Sequence, residues 1–185
     1  MVSIWGAAAV LMWALSAEPG GEGGSAPASP SHPPRSCSAQ EHRQFDFWLG
    51  DWAVLSPAGE AAGTNLVTSE LDGCMLQEHW RSADGKQVGT SLNHYDPASA
   101  TWNQTWVDST AGFLVLKGSF RDGRMVLSGD KAMPGGTRAA NRISWERTGP
   151  DGTRVRQLWE KSSDGGKTWT VAFDGTYVRK ERPRP

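Results

Sequence analysis

Cysteine is scarce in this chain of 185 residues, with two copies, and tyrosine is equally rare. Two cysteines exclude a fold knitted together by many disulfides, and neither their number nor their spacing suits a zinc site. The fold therefore has to rest on a hydrophobic core, which a chain of this length is able to bury as one domain. Charge of one sign is also lacking: 19 Lys+Arg stand against 20 Asp+Glu, for a formal net charge of -1, with no like-charge block. That balance argues against nucleic acid and against an anionic membrane surface as partners. The motifs of common catalytic constellations are missing too. There is no G-x-S-x-G, no H-E-x-x-H and no cysteine set against a histidine in a known spacing. No metal site and no cofactor are expected.

Long apolar runs are absent apart from one at the amino terminus, in "MVSIWGAAAVLMWALSAEPGG". Its apolar part, residues 4–15, is bounded by small residues and is shorter than the ~20 residues that span a bilayer. This is the form of a signal-peptide core with cleavage near residues 14–17, so residues 1–17 read as a signal peptide and the protein as exported, periplasmic or extracellular. Glu18 stands where a lipoprotein would carry its lipidated cysteine, so no membrane anchor is expected in the mature form. Residues 18–36 are Gly, Pro, Ser, Ala and a few polar residues, a composition that cannot bury enough apolar area to offset ordering, and read as a disordered tether. Residues 181–185 read as a disordered tail. Cys37, at the end of the tether, and Cys74 would meet oxidising conditions after export, where such a pair closes into a disulfide. Two free thiols are the alternative.

What is present is a regular alternation of short β-rich runs and turn signals from residue 50 onward, with no helical period. Strands are expected over 50–57, 63–71, 73–81, 86–95, 101–108, 112–120, 123–130, 136–147, 153–161 and 167–179. The intervening "PAG", "LDG", "ADG", "DPAS", "RDG" and "SDGG" are Gly, Asp and Pro turns of the hairpin kind. About ten closely spaced strands make an antiparallel up-and-down meander, and closing it into a barrel removes its exposed edges. "SSDGGKTW" at 162–169 fits the Asp-box pattern of propellers, but it occurs once and a propeller needs repeats. It reads as a hairpin in which Asp164 binds backbone amides and Trp169 packs beneath.

A barrel has two open ends, which gives a role to "QFDFWLGDW" at 44–52. Phe45, Phe47 and Trp48 precede the first strand, where a short helical turn would plug one end with aromatic area. Gly50-Asp51-Trp52 resembles the G-x-W signature of lipocalins, in which an Arg from the last strand packs over the Trp; Arg179 is the corresponding residue, expected to close the barrel end over Trp52 and to satisfy carbonyls of residues 45–49. With "GCMLQEHW", "SLNHYD", "WNQTWVD", "RQLWEKSSDGGKTWT" and "FDGTYVR", residues 37–180 resemble a family of uncharacterised exported bacterial lipocalin-like proteins. The resemblance implies a calycin-type β-barrel and assigns no ligand.

Register follows if "ADGK" turns at Asp84-Gly85 and "DPAS" forms the next loop. Glu78 then opposes Ser91, Leu76 opposes Asn93, Cys74 opposes Tyr95, Asn93 opposes Gln104, Tyr95 opposes Trp102 and Ser91 opposes Trp106. One face of three strands collects Leu76, Glu78, Trp80, Ser91, Asn93, Tyr95, Trp102, Gln104 and Trp106. The other face, with His79, Arg81, Lys86, His94 and Thr105, is the solvent-like set, so the first points inward. Glu78, Asn93 and Gln104 are costly to bury unless hydrogen-bonded. Three readings follow. The interior is a cavity in which Glu78, Trp80, Ser91, Asn93, Tyr95, Trp102, Gln104 and Trp106 bind a small, partly polar molecule; or it is a self-satisfied network filling a scaffold or interaction module; or, least favoured, Glu78 serves a hydrolase or isomerase as general acid or base.

Overall fold

Period-two alternation of apolar and polar residues, cut by left-handed turns, dictates the architecture. The structure, a computed structural model, describes residues 37–180; the expected signal peptide, tether and tail lie outside the described residues. The strands are β1 (Gly50–Leu55), β2 (Ala61–Glu70), β3 (Met75–Ser82), β4 (Val88–Asp96), β5 (Thr101–Asp108), β6 (Phe113–Arg121), β7 (Arg124–Ala132), β8 (Arg138–Thr148), β9 (Arg154–Ser162) and β10 (Thr170–Arg179). Each pairs antiparallel with the next, and β1 pairs with β10 to close the barrel. All ten expected strands are present.

Eight strand starts lie one to three residues from the expected positions, and at β3 and β10 the reason is a turn that takes more chain. Leu71, Asp72 and Gly73 all have positive φ (52°, 56° and 89°), so β3 begins at Met75 and Cys74 lies in the turn, with no strand partner opposite Tyr95. At the other end Asp164 accepts hydrogen bonds from the Lys167 and Thr168 amides and from the Ser162 and Thr168 hydroxyls. Trp169 folds back so that its indole N–H reaches the Gly166 carbonyl at 3.0 Å. The box holds the chain through Trp169, and β10 starts at Thr170.

The "ADGK" turn is wider than the two-residue form. The Gly85 amide bonds the Ser82 carbonyl, and the Ser82 amide bonds the Gln87 carbonyl, leaving four residues in the loop. Adding one residue to each side of a hairpin loop preserves its pairing. Leu76 opposes Asn93, Glu78 opposes Ser91, Asn93 opposes Gln104, Tyr95 opposes Trp102 and Ser91 opposes Trp106.

Ahead of the barrel, α1 (Gln40–Arg43) and a 3-10 turn (Asp46–Trp48) carry the aromatic segment across one end. Phe45 is fully buried, stacked on Trp48 with centroids 4.9 Å apart and edge-on to Trp102 at 5.6 Å and Trp145 at 5.2 Å. Cys37 and Cys74 are joined in a disulfide, and the Arg43 guanidinium bonds the Gly73 carbonyl beside it. A Cβ on Gly73 would stand 2.8 Å from that guanidinium, so the bare left-handed glycine is what lets α1 sit down on the β2–β3 connection.

The Arg179 guanidinium lies 4.4 Å from the Trp52 ring centroid, in the space left by Gly50. Its expected bonds to carbonyls of residues 45–49 are absent among the described residues. The Trp48 carbonyl is taken by Trp52's own indole N–H at 2.9 Å, and Arg179 is exposed. Arg179→Ala should cost about 1 kcal/mol through lost stacking and packing, a drop of a few degrees in the thermal midpoint. An unchanged midpoint in a melting curve would show the stacked arginine to be idle.

Candidate functional site

The plug enters where odd-numbered strands begin and even-numbered strands end. The half of the lumen nearer the opposite rim is less full. Three of its rings lie flat against the wall because glycines make room: a Cβ on Gly63 would come 2.5 Å from the Trp80 ring, one on Gly89 2.3 Å from Trp106, and one on Gly175 2.6 Å from Phe173. Rings laid along the wall leave the axis open. A cavity of about 200 Å³ results, walled by Trp80, Trp106, Trp145, Trp159 and Phe173. Its polar groups are Glu78, Gln104, Gln157 and Tyr177 at depth, with Gln87 and Asp108 near the rim.

Below the cavity runs a chain of buried hydrogen bonds. Glu78 Oε1 accepts from Asn65 Nδ2 at 2.7 Å, and Oε2 from the Ser91 hydroxyl at 2.6 Å. Asn93 Nδ2 donates to Ser91 Oγ at 2.9 Å and to the Leu76 carbonyl at 3.2 Å, while Gln104 Nε2 donates to Asn93 Oδ1 at 2.8 Å. Asn65 Nδ2 also reaches the Tyr177 hydroxyl at 3.3 Å, and that hydroxyl donates to Gln157 Oε1. Asn65 Oδ1 and Trp145 Nε1 are buried and unpartnered.

Burial pushes the Glu78 carboxyl up to about 7, against the opposing pull of hydrogen bonds from Ser91 and Asn65. Burial, with the neighbouring Glu78 charge adding to it, raises the Tyr177 phenol well above its ordinary value. Asp108 goes the other way. Partial burial alone would raise it, but hydrogen bonds from Thr110, Trp106 and Gly112 outweigh that and hold it at about 2.

These shifts give stability a pH dependence of definite sign. Between about pH 4.5 and 7 the folded protein keeps a proton on Glu78 that the unfolded chain has released, so stability falls as pH rises through that window. The loss is on the order of 3 kcal/mol. Asp108, depressed in the folded state, loses its contribution only as pH falls below the ordinary aspartate range. Denaturant unfolding across pH should therefore show greatest stability near pH 5, and Glu78→Gln should flatten the decline above it. A wild-type curve flat from pH 5 to 8 would exclude a neutral Glu78.

Of the eight residues expected around a ligand, Glu78, Trp80, Gln104 and Trp106 line the cavity. Ser91 and Asn93 lie behind it in the hydrogen-bond chain. Tyr95 and Trp102 belong to the plugged end: the Tyr95 ring meets His42 edge-on at 5.2 Å, and Trp102 Nε1 donates to Gln44 Oε1 at 3.2 Å. The inward face is one face, but the plug divides it by depth. His79 and His94 point out and are exposed. Asn65, Tyr177, Trp145 and Asp108 were not expected at the site; Gln157 and Trp159 had no readable face, because the Asp-box turn next to them hides the register of β9.

Fold and site together define a closed ten-stranded antiparallel barrel, plugged by aromatic side chains at one end and hollow toward the other, with a carboxyl group at the floor of the hollow. The chain matches no protein-family model, and no curated protein matches it.

Proposed function

We propose that this barrel, after export, binds a small, partly polar molecule in the cavity above Glu78. The observation that carries the reading is the coexistence of a hydrogen-bonded polar floor, with Asn65 Oδ1 left over as an acceptor, and about 200 Å³ of space between tryptophan faces. Such a site suits a ring-shaped or flat molecule with a few donors and suits a bare fatty chain poorly. The disulfide fits an oxidising compartment, and among the described residues no helix is long and apolar enough to cross a membrane. The scaffold alternative draws support from the lower half of the barrel, where plug and hydrogen-bond chain fill the lumen. A hydrolase or isomerase would rest on Glu78, whose two oxygens are already held by Asn65 and Ser91.

Polar aromatic compounds and short sugars should quench the intrinsic tryptophan fluorescence saturably. Glu78→Gln should weaken the response roughly tenfold to a hundredfold with the fold intact, as expected for loss of a hydrogen bond to a charged group. A screen with no saturable quenching would leave the scaffold reading in place.

A further inference from the structure

The charges on the cavity wall are unbalanced. Its ionisable groups are the carboxyls of Glu78 and Asp108 and the Tyr177 phenol; no Lys, Arg or His lines it among the described residues. Every hydrogen bond those two carboxylates accept comes from a neutral donor: Asn65 and Ser91 for Glu78, and Gln87, Trp106, Thr110 and Gly112 for Asp108. Neither takes part in a salt bridge among the described residues. Beside Glu78, the Asn65 Oδ1 is a further buried acceptor with nothing to accept. Around these acceptors stand four indoles and a phenyl ring, and indole presents the most negative face of the aromatic side chains to a cation. Trp159 already shows this behaviour at the rim, where the exposed Lys161 ammonium lies 4.2 Å from its ring centroid.

We propose that the ligand is an organic cation, a single ring or compact group bearing an ammonium, held with its charge between the Glu78 carboxylate and the indole faces. This rests on the binding reading above and narrows it. An anion would face two uncompensated carboxylates, and a neutral molecule would leave the acceptors short of charge. The dimensions agree, since about 200 Å³ admits one ring with a short amine and excludes a long chain. Burial holds the proton on Glu78 up to about pH 7, so below that pH a cation that draws the carboxyl into the ionised form displaces its proton to solvent. The other ionisable groups around it are Tyr177 from β10, Asp108 at the end of β5 and Lys161 at the rim of β9. Of these, Asp108 is already ionised and Tyr177 stays protonated throughout the window.

Three probes of similar size and different charge test this on the mature exported protein: 2-phenylethylamine, 2-phenylethanol and phenylacetate, measured by calorimetry at pH 8 and pH 6. The amine should bind at least tenfold more tightly than the alcohol, and phenylacetate should not bind. Repeating the pH 6 titration in buffers of different ionisation enthalpy should reveal proton release on binding of the amine and none with the alcohol. Glu78→Gln should abolish the preference for the amine and the proton release; the wild-type comparison stands even if that variant fails to fold. Equal or tighter binding of the alcohol or of phenylacetate would overturn the cation inference and leave a binding protein. Failure of all three to bind would count against both.

Discussion

Phe45→Ala is expected to lower stability by about 3–5 kcal/mol, the range for truncating a buried aromatic residue. The residue precedes the first strand, where a truncation would ordinarily be harmless, yet it is fully buried and touches rings from the plug itself, from β5 and from β8. Its side chain is the central element of the barrel's closed end. The space it leaves is bounded by Trp48, Trp102 and Trp145, large rigid rings that cannot collapse into it, so the cost should fall toward the upper part of that range. Urea unfolding gives the value directly. A loss under about 1 kcal/mol would mean that the segment only rests on the barrel and adds little to its core.

Breaking the Cys37–Cys74 bond is expected to cost roughly 3–4 kcal/mol from the freed chain entropy of the unfolded state. The bond closes a loop of sequence separation 37 that contains α1, the whole plug, β1 and β2. Unfolding curves with and without reductant measure the effect, and intact mass under denaturing conditions checks the bond itself. Alkylation of both cysteines without reductant would show it absent from the natural protein. Because the bond and the Arg43–Gly73 contact hold the plug's leading end to the same connection, Phe45→Ala and reduction should not add independently.

The strands were legible because alternation and Gly/Asp turns are local signals, and the inward row of β3, β4 and β5 was legible because their two hairpins are of symmetrical length. Depth along the barrel axis was not. A period of two tells which way Trp102 and Trp106 point and says nothing of which one meets the plug and which the cavity. Asn65 and Tyr177 stayed hidden for another reason. The left-handed run at Leu71–Gly73 separates β2 from β3 by a connection whose length no turn rule supplies, and β10 joins β1 with no turn at all to fix its register.

Closure of the barrel also depends on its last strand. Nine of its ten strand pairings join neighbours in sequence, but Trp52 meets Arg179 only when the last strand is in place. Until then β1 and β9 present unpaired edges, and Asn65 lacks the Tyr177 hydroxyl to which it donates. A chain truncated before β10 would keep both cysteines and most of the sheet and still expose an edge of the kind that recruits other strands. The carboxy-terminal strand thus removes the last open edges of the sheet.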